Sequence, residues 1–86
     1  MPYQVQIAKP ALKATKGVDR PTRERIRKRL GELANSPLAP RIGKPLVNME
    51  HLRSSGVGDW RILYAVNENA KIVRVYEVRP RGQAYR

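Results

Sequence analysis

The sequence predicts an α+β fold with the order β-α-α-β-β-β, in which a mainly antiparallel sheet carries two helices on one face. Three observations lead there. Apolar residues alternate with polar ones at the N-terminus, two segments of helical period follow, and the C-terminal half is a run of apolar stretches separated by short turn sequences. Helices grouped before hairpin-linked strands favour antiparallel pairing, whereas a parallel sheet needs the two to alternate along the chain. At 86 residues one domain spanning 1–86 is expected, since smaller units bury too little apolar surface to hold together.

Tyr3, Val5 and Ile7 alternate with Gln4, Gln6 and Ala8, the period of a half-buried strand. Pro10 breaks that pattern. Ala11 to Ala14 then reads as a short helix, with Pro10 near its first turn and Gly17 past its end. Asp19 is the expected N-cap of a second helix, with Pro21 in its first turn and Ile26, Leu30 and Leu33 at helical spacing. The outer face of this helix carries Arg23, Arg25, Arg27, Lys28 and Arg29 against Glu24. Like charges so close repel, so the face is either simply solvated or turned to phosphates or to an acidic protein partner. Three prolines between Asn35 and Pro45 bar regular structure there. Leu46 to Leu52 follows as a polar strand, Ser54 to Asp59 as a turn, and Trp60 to Val66 as an apolar strand interrupted by Arg61. Asn67 to Ala70 is a hairpin loop, and Lys71 to Val78 is the last strand. Trp60, Tyr64 and Tyr76 are expected in the core, and Tyr3 packs in the first strand.

The formal net charge is +11, and self-repulsion of that size opposes a compact state unless a polyanion balances it. The charge is spread, +7 up to Gly43 and +4 after it, so it is not a basic tail. Nucleic acid is the first candidate partner and an acidic protein the second. There is no cysteine, which excludes disulfides and thiolate metal sites and is compatible with a reducing compartment. No apolar run is long enough to span a bilayer or to serve as a secretory signal, so a cytoplasmic protein without a membrane partner is expected. One histidine and seven scattered acids offer no metal cage, and no Gly-rich phosphate loop or nucleophile elbow is present. No cofactor is expected.

Arg61 sits in the middle of an apolar strand, where a lone buried guanidinium would be very costly. It is therefore expected to face an open groove. A second basic cluster, Arg79, Arg81 and Arg86 with Tyr85, follows the last strand. Antiparallel hairpin pairing sets the start of one strand beside the end of the next, which brings Arg61 near Arg79 and Arg81.

Taken together, the basic helix, Lys44-Pro45-Leu46, the Arg-Ser-Ser-Gly stretch Arg53 to Gly56, the strand Gly58-Asp59-Trp60-Arg61-Ile62-Leu63-Tyr64 and the terminal Val78 to Tyr85 resemble the RelE branch of the RelE/ParE toxin superfamily over nearly the whole chain. The Gly-Asp-aromatic-Arg strand is common to the superfamily. Arg61 with Arg81 and a tyrosine four residues on is more specific to RelE-type nucleases, which use such residues at the cleavage site. The resemblance implies a type II toxin that cleaves mRNA in the ribosomal A site without a metal. Its partners would be mRNA, the ribosome and an acidic antitoxin, with operator DNA reached only through the antitoxin complex. The alternatives are a superfamily toxin that acts on a non-RNA target such as gyrase, and a non-enzymatic nucleic-acid-binding module.

Metal-free cleavage uses the ribose 2′-OH as an internal nucleophile on the adjacent phosphate. Arg61 and Arg81 are the residues expected to stabilise the phosphate oxygens, whose geometry the planar guanidinium matches. Lys44, Arg53, Arg79 and Arg86 are candidate phosphate contacts. The acid and base are less plain, because RelE members commonly carry two lysines just before the Leu-Arg-Ser-Ser stretch, where this chain has Met49-Glu50-His51. His51 is chemically apt, because imidazole is the side chain best suited to proton transfer near neutral pH. Tyr85 is a candidate base, if neighbouring arginines favour its phenolate, or a surface on which a nucleobase stacks. The chain ends at Arg86, short of the additional C-terminal helix of some members, so Tyr85 is expected to be ordered by substrate or partner.

Overall fold

The computed structural model describes residues 2–47 and 49–81, with Glu50 by its backbone alone. The elements run β1 (Gln4–Ile7), α1 (Lys9–Lys16), α2 (Arg20–Asn35), β2 (Lys44–Leu46), β3 (Met49–Val57), β4 (Trp60–Asn67) and β5 (Ile72–Pro80). They form the expected α+β fold, with one more strand than the sequence reading gives. The five strands lie in the order β1-β5-β4-β3-β2; β1 is parallel to β5 and every other pairing is antiparallel.

Both helices start where local chemistry directs. Pro10 stands in the first turn of α1 and Gly17 at its C-cap. Asp19 caps α2 by accepting from the Thr22 amide at 3.2 Å and from the Thr22 hydroxyl at 2.7 Å. These hydrogen bonds favour the carboxylate and hold the Asp19 pKa below its ordinary value. The inner faces of the helices bury Ala11, Ile26 and Leu33 against Ile62, Tyr64, Val73, Val75 and Val78 of the sheet.

One strand departs from the expected bounds. Ser54 to Val57 continues β3 and is not part of the turn, which shrinks to Gly58 and Asp59. Ser55 and Val57 point inward and are buried, so strand pairing outweighs the local turn propensity. Gly58 adopts φ +58, the left-handed backbone that a two-residue connection requires and glycine takes without strain.

A second departure is at Tyr76, expected in the core but 40% exposed. The pairing of β4 with β5 shifts at this point, Leu63 opposing Glu77 and Tyr64 opposing Val75. Tyr76 is thus the extra residue of a β-bulge. The bulge keeps Val73, Val75 and Val78 on the helix side although their spacing is two and then three. Tyr64 is fully buried as expected, and Trp60 packs half-buried at the margin of the core.

Candidate functional site

Paired residues in a sheet share a face, so the register maps the surface that the helices leave uncovered. One row of that open face runs Arg79, Arg61, Gly56 across β5, β4 and β3; the next runs Glu77, Leu63, Ser54, Lys44 across β5 to β2. Gly56 leaves a gap beside Arg61, since a Cβ placed there would meet nothing within 4 Å. This gap is part of the floor of a groove of about 760 Å³. Arg61 and Arg81 line one side, Arg41 and Lys44 the other, and Arg29 also reaches it. Leu46, Val47 and Met49 of the β2–β3 hairpin supply an apolar margin, Val47 being 86% exposed. No acidic side chain is among the described lining residues. Their guanidinium and ammonium groups repel one another, and an anion seated among them relieves that repulsion.

Arg61 and Arg79 are direct register partners, and the Arg81 amide donates to the Asp59 carbonyl at 2.7 Å, carrying the ladder one step past β5. The expected proximity of Arg61, Arg79 and Arg81 is therefore present at the backbone. Their side chains differ in setting. Arg61 and Arg81 line the groove, whereas Arg79 pairs with Glu77 at 2.7 Å and does not line it.

Two other candidates are placed elsewhere. Arg53, read as a phosphate contact, lies on the helix side of β3, where it donates to the Gly43 carbonyl at 3.0 Å and to the Tyr64 hydroxyl at 3.3 Å. Its register partner is buried Tyr64, and alternation from there fixes its face. Arg53 therefore holds a loop. His51, read as an acid or base, is exposed on β3 five residues from Gly56, about 17 Å of extended strand. The structure does not bring it to Arg61 and Arg81. Tyr85 and Arg86 lie outside the described residues.

What the sequence reading missed is the framework that shapes the groove. Buried Ser55 donates to the Ile42 carbonyl at 2.6 Å and accepts from Arg29 at 2.7 Å, while Arg29 also donates to the Gly56 carbonyl at 2.8 Å and pairs with Glu32 at 3.0 Å. Gly43 passes so close to the sheet that a Cβ would fall on the Tyr64 hydroxyl and within 2.8 Å of the Ser54 carbonyl. These contacts hold residues 37–43 against β3 and so aim Arg41 and Lys44 into the groove. Arg41 had one sequence signal, a cation inside a proline-restricted loop. Among the described residues, no three His, Asp or Glu side chains gather where they could hold a metal ion, and no helix is long and apolar enough to cross a membrane.

Residues 5–85 match the family model of the ParE toxin of type II toxin–antitoxin systems. The chain belongs to the RelE/ParE toxin family. Within it, the chain is similar to the toxin RelE of Mycobacterium tuberculosis, 39% identical over 57 residues, a match covering 65% of this chain and 57% of that relative. The chain thus spans less than two thirds of that curated relative's length. Among solved structures it is similar to the RelBE2 toxin–antitoxin complex of M. tuberculosis, with 25% identity and a TM-score of 0.82 over 94% of this chain and 100% of the other. It is also similar to the RelE–RelB complex of Pyrococcus horikoshii, with 26% identity and a TM-score of 0.80 over 98% and 100%. The isolated E. coli RelE toxin shares the fold at 22% identity, with a TM-score of 0.80 over 96% of this chain and 88% of that one. The family so matched is one of toxins from type II toxin–antitoxin systems.

Proposed function

We propose that this toxin is a metal-independent endoribonuclease that cuts mRNA in the ribosomal A site by attack of the 2′-OH on the adjacent phosphate. The observation that carries the reading is the convergence of Arg61 and Arg81 on one groove with an open glycine floor and a basic opposite wall. Guanidinium groups aimed at a phosphate stabilise the charge that grows on its oxygens in the transition state. The RNA itself supplies the nucleophile, so the protein has only to bind, orient and manage two protons. In this reading Tyr85 acts as the base or as a stacking surface for a nucleobase, and Arg86 as a phosphate contact.

The partner is an acidic antitoxin, as in the RelB-containing complexes that this chain resembles, and operator DNA is reached only through it. The unit works as one domain in the cytoplasm. Purified toxin added to ribosomes programmed with a defined message should produce a cut in the A-site codon, located by primer extension, and Arg81→Ala should lose it. An intact message with unsubstituted toxin would overturn the reading. The match to the ParE family model supports a second reading, gyrase inhibition, for which inhibited DNA supercoiling with the message uncut is the distinguishing result.

A further inference from the structure

We propose that Tyr76 is a platform on which a base of the message stacks beside the cut, with Arg74 as its cationic flank; the inference rests on the reading of the groove as a site of RNA cleavage. Tyr64 is buried in the core and Tyr3 packs against it, whereas Tyr76 stands outside the core and is 40% exposed. The bulge in β5 sets it there. Val75 points to the helices, so Tyr76 turns away from them, and Glu77 shares the open face with its register partner Leu63. Bulges of this kind re-aim side chains and are common beside functional sites.

The ring is held ready from one side. The Arg74 guanidinium lies over it, 5.8 Å from its centre, and donates to the Gln6 side-chain carbonyl of β1 at 3.3 Å. A cation over an aromatic ring is attracted to its face, so Arg74 orients the ring and brings positive charge beside it. Glu77, the acid of this strand, is paired with Arg79 at 2.7 Å, which lessens its repulsion of a phosphate. Exposed rings on an open sheet face, flanked by arginines, hold single-stranded RNA by stacking on its bases while the cations meet its backbone. Continuity with the groove selects the message as the occupant. Arg79 is the register partner of Arg61, and Tyr76 follows three residues along β5, about 10 Å away. A strand of RNA whose scissile phosphate sits at Arg61 therefore has a flanking nucleotide within reach of the ring.

The test measures binding separately from cutting. Toxin is titrated onto ribosomes programmed with a message carrying 2′-deoxyribose at the cut, and an abasic nucleotide is walked through the positions on either side. Tyr76→Ala should weaken binding of the message with all its bases about tenfold, the scale of one stacked base, and Tyr76→Phe should bind as the unsubstituted toxin does. At one abasic position the loss caused by Tyr76→Ala should vanish, because the partner of the ring is already missing. Undiminished binding by Tyr76→Ala would overturn the proposal. So would a loss of equal size at every abasic position, which would make the ring a contact to the ribosome or a support of the strand. Weakened antitoxin binding with message binding unaltered would overturn it too, and would assign the ring to a protein partner. The ribonuclease reading is tested apart, by unsubstituted toxin on the all-ribose message; an intact message beside a base-dependent Tyr76 effect would overturn that reading alone.

Discussion

Arg61 and Arg81 line a solvent-open groove and add little to packing, so Arg81→Ala should abolish toxicity while leaving the melting temperature nearly unchanged. Full toxicity at equal expression would remove Arg81 from the site. For His51→Ala the expected loss in cutting rate is less than a few-fold, because the exposed imidazole lies far along β3 from Arg61; a drop of about 10² or more, the scale of a lost acid or base, would contradict that placement. Ser55→Ala behaves in the opposite way. It removes the donor to the Ile42 carbonyl and a partner of Arg29, and a buried group left unsatisfied costs about 1–3 kcal/mol. Thermal melting should register this as a clear loss of stability, and an unchanged melt would mean that water replaces the hydroxyl. Arg61 and Arg81 were legible in the sequence because a cation in an apolar strand, or after one, must have an outlet. Arg23, Arg29 and Arg53 were not. A guanidinium bonded to the carbonyls of Thr15, Lys16 and Val18, as Arg23 is, looks in sequence like one turned to water, since its partners come from another element.

Among the elements, α2 was the easiest to read. Its cap, its first-turn proline and its buried Ile26 and Leu33 all agree, and a consistent local signal needs no tertiary knowledge. Its cap also makes a pH prediction. The folded Asp19 pKa lies below its unfolded value, so the cap contributes fully above the unfolded pKa and its contribution is lost as pH falls through the folded one. Acid melts should show a small loss below the ordinary aspartate range of about 3.9, and Asp19→Asn, which still caps, should remove that part of the pH dependence. An identical acid profile in the variant would contradict the assignment. The bulge in β5 and the extension of β3 through Ser54 to Val57 were not legible, for a shared reason. Both are decided by which residue a strand meets across the ladder, and Tyr76 or Val57 alone carries no sign of its partner. The short β2 escaped because three residues, one of them Pro45, form a strand only when β3 lies beside them.

At the scale of the molecule, the net charge of +11 announced a polyanionic partner, but not where it would sit. The register locates the cations, which gather on one groove of the face that the helices leave open. If Arg41, Lys44, Arg61 and Arg81 each contact a phosphate of single-stranded RNA, the log–log dependence of binding on salt should have a slope of roughly −3. A slope near zero would count against a phosphate-facing groove. The proposed chemistry is attack on the phosphate by the substrate's own hydroxyl. Its most direct measurement is the chemistry of the product ends, read by mass spectrometry on a short message bound in the A site, beside a message carrying 2′-deoxyribose at the cut. Attack by the 2′-hydroxyl yields a 2′,3′-cyclic phosphate and a 5′-hydroxyl from the first and no cleavage of the second, and a 5′-phosphate product or undiminished cutting of the 2′-deoxy message would contradict it.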